Sequence, residues 1–243
     1  MPKFLVEHID SNRAVIKGQD ARHICRVLRL DTGDFLDITN GKGDSFKASI
    51  LSLSPSQVDL RLHEKHLKNF ESPIRITLAV GMLKDKKMEE LLRQSIELGI
   101  FKWQPVYCER SVPVHDEKRI ISRLARWETI AREALKQCQR SRLPQVCVPV
   151  PLDELFQNSS RYDLKLAFWE SQETGEVDSS AQKTPGVERI LILIGPEGGF
   201  SSNEITTARD HGFEIQTLGP RILRAQTAAI SACTLIQNRY GDL

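Results

Sequence analysis

The feature that most limits how this chain can fold is a pattern used twice near its C-terminal end. The apolar run RILILI, residues 189 to 194, stops at Gly195; GPEGGF follows, and SSNE then opens a helix. The second run, EIQTL, meets GPRILR and then a final helix from about Ala225 to Tyr240. Strand, tight loop and helix in repeated alternation predict an α/β domain with a mainly parallel sheet. In such sheets ligands bind beyond the carboxyl ends of the strands, where both loops fall.

The first loop has the makings of a preformed pocket. Gly195, Gly198 and Gly199 let the backbone come close to a flat or extended ligand, since no Cβ intervenes. Pro196 stiffens the loop and removes one donor. Ser201 and Glu204 have the spacing of a capping box, which would hold the far end. Neither loop is a GxGxxG, and no GKS or GKT follows, so a dinucleotide or P-loop site is disfavoured. Glu197 inside the loop would repel phosphate. A cationic or neutral ligand held by backbone groups fits better; a plain strand-to-helix turn without a ligand is the other reading.

Upstream, IRITLAV (74 to 80) and DLKLAFW (163 to 169) read as further strands. DKKMEELLRQSIELG (85 to 99) reads as a helix capped by Asp85 and closed by Gly99. FKWQPVY (101 to 107) reads as a strand that Pro105 demotes to an edge or a bend. A long helix spans about Glu117 to Cys138. Its stripe of Ile120, Leu124, Trp127, Ala131, Ala134 and Cys138 is core packing. The polar stretch 171 to 186 reads as a mobile surface loop without assignable chemistry.

The first seventy or so residues differ in rhythm. FLVEHI, AVIKG, FLDITN, FKASILSL and QVDLRL are short and alternating, with turn signals between them. They predict a small barrel or curled antiparallel sheet. DARHICRVLRLDTGD reads as a short helix closed by a turn at Gly33, and 63 to 73 as a linker. The expected domains are therefore 1–70 and 73–243.

Composition narrows the class. No apolar run approaches the roughly 20 residues of a membrane span, and the N-terminal residues lack the apolar block of a signal peptide. Five scattered cysteines with no CxxC pair argue for reduced thiols in a cytoplasmic protein, and against a disulfide framework or zinc site. Net charge is only +2, but residues 110 to 142 carry nine Lys/Arg against four Asp/Glu. That excess is either a solvated helix face or a surface that meets phosphate.

At the glycine loops the chain resembles a known family. LIGPEGGFSSNEI followed by LGPRILRAQTAAISA is similar to the SPOUT class of RNA methyltransferases, and more closely to the RsmE type, which methylates N3 of a uridine in 16S (small-subunit) ribosomal RNA. HICRVLRLDTGD, KDKKMEELLRQSIELGI, ERS at 109 to 111 and QCQRSRLP extend the resemblance over nearly the whole chain. It implies an N-terminal PUA-like RNA-binding β-barrel, a C-terminal trefoil knot, a homodimer, S-adenosylmethionine as cofactor, and ribosomal RNA or the small ribosomal subunit as partner. The implied cofactor pocket comprises Leu78, Val80 and Gly81, then Ile194, Gly195, Glu197, Gly198 and Gly199, then Leu218, Gly219, Ile222 and Leu223.

Two departures from the family pattern matter. Gln226 stands where a Glu is common, and Lys136 where an acid precedes Gln. Gln cannot take a proton at neutral pH, so no base is assigned. Uracil N3 must lose its proton to become a nucleophile, and a fixed cation would stabilise the resulting anion. Arg224, which follows the second loop directly, is the expected catalytic residue. Arg140 and Arg110 are expected at target RNA, and Arg22, Arg26 and Arg29, spaced by four and three, are expected to share one phosphate-facing helix face. Glu197 either contacts cofactor or target, or braces its loop by accepting backbone N–H bonds; bracing is preferred. His211 is expected as a helix C-terminal dipole partner and His23 as fold or RNA surface. No metal is expected. The competing readings are a non-catalytic RNA-binding or ribosome-assembly protein on the same fold, and a SPOUT enzyme acting on another RNA.

Overall fold

The computed structural model describes residues 3–66, 70–112, 117–170 and 186–243; residues 171–185 of the expected surface loop lie outside them. The chain forms two compact units, residues 1–71 with 132–143, and residues 72–131 with 144–243.

In the first unit the strands are β1 (Lys3–Leu5), β2 (Ile9–Asp10) and β3 (Arg13–Lys17), then β4 (Phe35–Thr39), β5 (Ser45–Leu53) and β6 (Gln57–Lys65). They form one six-stranded sheet in the order β1-β4-β5-β6-β3-β2, antiparallel except where β1 meets β4. FLVEHI, expected as one strand, is divided between β1 and β2. The period-2 alternation works as the pleat requires: Ala14, Ile16, Leu36, Ile38, Ile50, Val58 and Leu60 point to one buried core. Helix α1 (Gly18–Arg22) runs into a wider π-helical segment, His23–Leu28, which ends at Arg29 in a left-handed conformation with φ 52°. β6 extends through Lys65, so the first residues of the expected linker belong to the sheet.

The second unit is built on β7 (Arg75–Gly81), α2 (Asp85–Glu97), β8 (Lys102–Tyr107) and α3 (Glu117–Gln137). It continues with β9 (Gln145–Val146), β10 (Val150–Pro151), α4 (Leu152–Gln157), β11 (Leu164–Phe168), β12 (Arg189–Ile194), α5 (Ser202–Asp210), β13 (Glu214–Gln216) and α6 (Ala225–Tyr240). All strand pairs are parallel, in the order β10-β8-β7-β12-β11-β13, with β9 also on β8. Central strands of a parallel sheet are covered on both faces and read as continuous apolar runs, which is why RITLAVG and RILILI are buried almost throughout.

Two local expectations need correction. β8 is not an edge strand: β7 pairs along one side, and β9 and β10 along the other. Pro105 is tolerated because it falls between those two short pairings, at Lys102–Trp103 and Val106–Tyr107, where a missing N–H breaks no ladder bond on that side. Asp85 does not cap α2; the cap is Lys84 without a side-chain bond, and the Asp85 carboxylate sits 2.8 Å from Arg123 instead.

The buried stripe of α3 behaves as a core face, with Trp127 2% exposed. The capping box is complete: Ser201 Oγ accepts from the Glu204 N–H, and Glu204 accepts from the Ser201 N–H at 2.8 Å. The second Glu204 oxygen accepts from the Glu109 N–H, also at 2.8 Å, so one carboxylate ties α5 to the turn after β8. Ser201→Ala removes one cap bond and is expected to lower stability by about 1 kcal/mol, read as a shift of the urea midpoint. Glu204→Ala removes both of its bonds, and its shift should be the larger.

All five cysteines are free. Burial pushes the Cys233 thiol up to about 12, so it remains an unreactive thiol. No helix among the described residues is long and apolar enough to cross a membrane.

Candidate active site

Because β7, β11 and β12 are parallel neighbours, their carboxyl ends and following turns emerge at one edge of the sheet. A cavity of about 410 Å³ opens there, within the usual range for small-molecule sites. Its walls come from four places in the chain. The first loop contributes Ile194, Gly195, Pro196, Glu197 and Gly199. The second loop and the start of α6 contribute Ile222, Leu223, Arg224, Ala225, Gln226 and Ala228. Phe168 and Glu170 enter from the end of β11, and Leu83 and Lys87 from the segment after β7.

The glycines do more than open space for a ligand. A Cβ on Gly81 would lie 2.4 Å from the Pro196 nitrogen, so the end of β7 must be glycine for the first loop to lie against it. A Cβ on Gly199 would meet the Glu170 carboxylate at 2.3 Å, and Gly199 holds φ 69°. A Cβ on Gly198 would touch the Arg110 side chain at 3.0 Å. The first loop is thus packed tightly by its own protein on one side while its other side borders the cavity.

The expected site residues divide accordingly. Ile194, Gly195, Glu197, Gly199, Ile222, Leu223 and Arg224 meet at the cavity. Leu78 and Val80 do not line it: both are fully buried in β7, paired with Ile192 and Ile194. Gly81 supports Pro196, and Gly198 faces Arg110. Leu218 and Gly219 are half-buried and stand outside the lining; Gly219 serves the bend itself, with φ 91°. Leu83, Lys87, Phe168 and Glu170 were missed, although Phe168 and Glu170 could have been flagged, since they stand at and just beyond the carboxyl end of β11.

Charge around the cavity is specific. Glu197 forms an ion pair with Lys87 on α2, so it neither accepts from its own loop's backbone nor stands as a bare carboxylate. Glu170 makes no ion pair with a described residue. Gln226 Nε2 is 3.4 Å from both the Lys87 carbonyl oxygen and a Glu90 carboxylate oxygen. Arg224 is exposed at the N-cap of α6 and makes no cap bond, which leaves its guanidinium at the rim.

The five arginines expected at RNA part company. Arg110 donates to the carbonyl oxygens of Gly198 at 3.2 Å and Phe200 at 3.4 Å, so it braces the first loop. Arg140 is 3% exposed and grips Glu71 through Nη2 at 2.7 Å and Nε at 3.2 Å. Both donors converge on one Glu71 oxygen, and this buried ion pair takes Arg140 out of reach of an RNA strand. Arg22, Arg26 and Arg29 are exposed and form no ion pair with a described residue, but the helix widens at His23, so α-helical spacing does not describe their face. Lys136 pairs with Asp20 at 2.8 Å, which gives the departure at 136 a structural role. His211 caps α5, with its Nδ1 2.9 Å from the Thr207 carbonyl oxygen and its ring stacked on Phe156. His23 is exposed, its ring 6.2 Å from that of Phe4.

Residues 70–237 match the RNA methyltransferase domain family, and residues 16–62 match the RNA methyltransferase PUA domain. The chain belongs to the RNA methyltransferase family. Ribosomal RNA small subunit methyltransferase E of Buchnera aphidicola subsp. Acyrthosiphon pisum (strain APS) is 32% identical, over 100% of this chain and 95% of that protein. The Bacillus subtilis (strain 168) protein of the same name is 31% identical, over 91% and 88%. The crystal structure of a ribosomal RNA small subunit methyltransferase E from Neisseria gonorrhoeae, bound to S-adenosyl methionine, superposes with a TM-score of 0.89. It is 28% identical, covering 100% of this chain and 99% of that one. For this family member the SPOUT-type α/β domain and the PUA-like barrel expected from the sequence are the architecture of its relatives.

Proposed function

We propose that this chain methylates N3 of a uridine in small-subunit ribosomal RNA with S-adenosylmethionine as donor. The observation that carries the reading is the cavity at the strand ends, bounded by both glycine loops, with Arg224 at its rim.

The residues present fit that donor. Leu83, Phe168, Ile194, Ile222 and Leu223 offer apolar walls for a nucleoside, and Ala225 and Ala228 keep the floor shallow. Glu170 supplies a negative charge with no described cation of its own, which suits a positively charged ligand. When bound, S-adenosylmethionine supplies a methyl group that is already electrophilic on its sulfonium.

The chain's residues have to do the rest. Deprotonating uracil N3 places negative charge on the nitrogen and on both carbonyl oxygens. Arg224 stabilises that charge and orients the ring through its planar fork of donors. It cannot remove the proton, because a guanidinium offers N–H donors and no acceptor. Gln226, at the same rim, can only hydrogen-bond, so the proton acceptor is not a side chain at 226. Lys87 and Glu197 pair between α2 and the first loop at the cavity wall.

We also infer a trefoil knot at the C-terminus and a homodimer, as the resemblance implies, two domains, 1–70 and 73–243, from the change in sequence rhythm, and a cytoplasmic location from the scattered cysteines.

Mass analysis of nucleosides from ribosomal RNA of a deletion strain tests the reaction. The expected result is loss of N3-methyluridine from the small-subunit RNA and its return with the wild-type chain. An unchanged methyluridine content would overturn the reading. Gln226 favours one alternative, a non-catalytic RNA-binding protein on this fold. Calorimetry with S-adenosylmethionine separates the two, because a chain without a working pocket gives no binding heat.

A further inference from the structure

The outer face of the first unit's sheet carries a row of cross-strand neighbours that crosses four strands. Phe35 on β4 stands opposite Ser49 on β5, Ser49 opposite Arg61 on β6, and Arg61 opposite Arg13 on β3. With strands roughly 4.8 Å apart, the row runs from an aromatic ring to a pair of guanidinium groups over roughly 15 Å. It ends at Asp10 on β2.

Each end of the row is anomalous. Phe35 is 43% exposed, while its neighbours Leu36 and Ile38 are fully buried in the core behind it. The ring is held in polar company: His63 lies 5.5 Å away at 50°, and Lys47 Nζ sits 4.7 Å from the ring centre. His63 is itself fixed by a 2.8 Å hydrogen bond to Ser49 Oγ. Arg13 and Arg61 are exposed cross-strand neighbours of like charge, an arrangement that destabilises a sheet. Neither forms an ion pair with a described residue. Among the acids of this face, Asp59 accepts from Ser52 and from Gln57 and also attracts Arg13, Asp37 bonds His66 at 2.9 Å, and Asp10 accepts from Ser11 at 3.3 Å.

We infer that this face binds single-stranded RNA, with an unpaired base against the Phe35–His63 pair and the backbone phosphates on Arg61 and Arg13. An exposed ring beside a pair of exposed guanidinium groups is what sequence-tolerant single-strand recognition requires: every base has a face to stack, and every nucleotide has a charge to neutralise. A double helix keeps its bases stacked inside and cannot offer one to the ring. The inference rests on the RNA reading above but not on the cavity, which lies in the other unit. It uses residues other than Arg22, Arg26 and Arg29.

The test is fluorescence anisotropy of the full chain with a labelled short oligouridylate and with duplex RNA as competitor. Phe35→Ala is expected to weaken single-strand binding about 5- to 150-fold, the effect of losing one stacked base, with the salt dependence unchanged. The Arg13→Ala/Arg61→Ala double variant should reduce the slope of log K against log salt by about 1.4, two phosphates' worth on a single strand. Phe35 is at the surface, so unchanged circular dichroism should accompany its loss of affinity. Wild-type affinity in both variants, or equal competition by duplex RNA, would overturn the inference. Calorimetry with S-adenosylmethionine on the same samples keeps the two readings apart. Retained cofactor heat with unaltered RNA binding sinks this surface alone; absent heat in the wild-type chain sinks the enzyme reading instead. A wild-type chain that binds neither RNA also overturns the surface.

Discussion

Arg224→Ala should lower turnover by about 100- to 1,000-fold and leave S-adenosylmethionine affinity near that of the wild-type chain. The size is that of removing one preorganised donor from a developing anion. The separation of turnover from affinity follows from where Arg224 sits. It is exposed at the rim, and as the N-cap of α6 it forms no side-chain cap, so alanine leaves the helix start and the cavity floor in place. Arg224→Lys retains the charge but loses the planar fork, and should recover only part of the rate. Single-turnover methylation with calorimetry on the same samples measures both quantities. Loss of cofactor heat in Arg224→Ala would place the residue in the cofactor pocket rather than at the target base.

Arg140→Met should destabilise the chain by about 3–5 kcal/mol, seen as a lower urea midpoint. The variant strands the Glu71 carboxylate, of which only 12% of the side chain is exposed. Glu71 also accepts from the backbone N–H groups of Ser141 and Arg142, both at 2.8 Å, so it organises the turn that returns from α3. Adding Glu71→Gln to Arg140→Met keeps an acceptor for those amides while removing the stranded charge. Much of the lost stability should return in the double variant. An RNA-contacting Arg140 would give the opposite pattern, with normal stability and a flatter salt dependence of RNA binding.

The two arginines illustrate what a sequence does and does not carry. Arg140 sits in the basic stretch and Arg224 after the second glycine loop, and nothing local separates a residue that meets solvent from one that meets Glu71, 69 positions away. Arg110 poses the same problem: its partners are carbonyl oxygens of the first glycine loop, 88 and 90 positions on. The elements themselves were legible. The starts of α5 and α6, the buried stripe of α3 and the alternation of β3 to β6 were all set by neighbours within a few residues, where capping, period and turn chemistry act.

The cavity was legible in part, for the same reason. Its two glycine loops are local signals, but Lys87, Phe168 and Glu170 reach it only because β7, β12 and β11 lie side by side. Gly81 was assigned to the pocket from its position in the resemblance, yet its lack of a side chain makes room for Pro196, 115 residues later. The departure at 226 is similar: only the fold brings Gln226 beside Glu90 and the Lys87 carbonyl.

By itself, the sequence determined the two kinds of sheet, the places where strands give way to helices, and the pair of bends at which a ligand could sit. Periodicity and backbone preference are short-range effects, so they can be read without knowing what lies across the fold. The tertiary structure alone decided which charges stand free and which are neutralised, and which glycines face space and which face another backbone. Those outcomes depend on atoms from distant parts of the chain meeting within a few ångströms, and Coulomb attraction and steric exclusion are settled at that distance and not along the sequence.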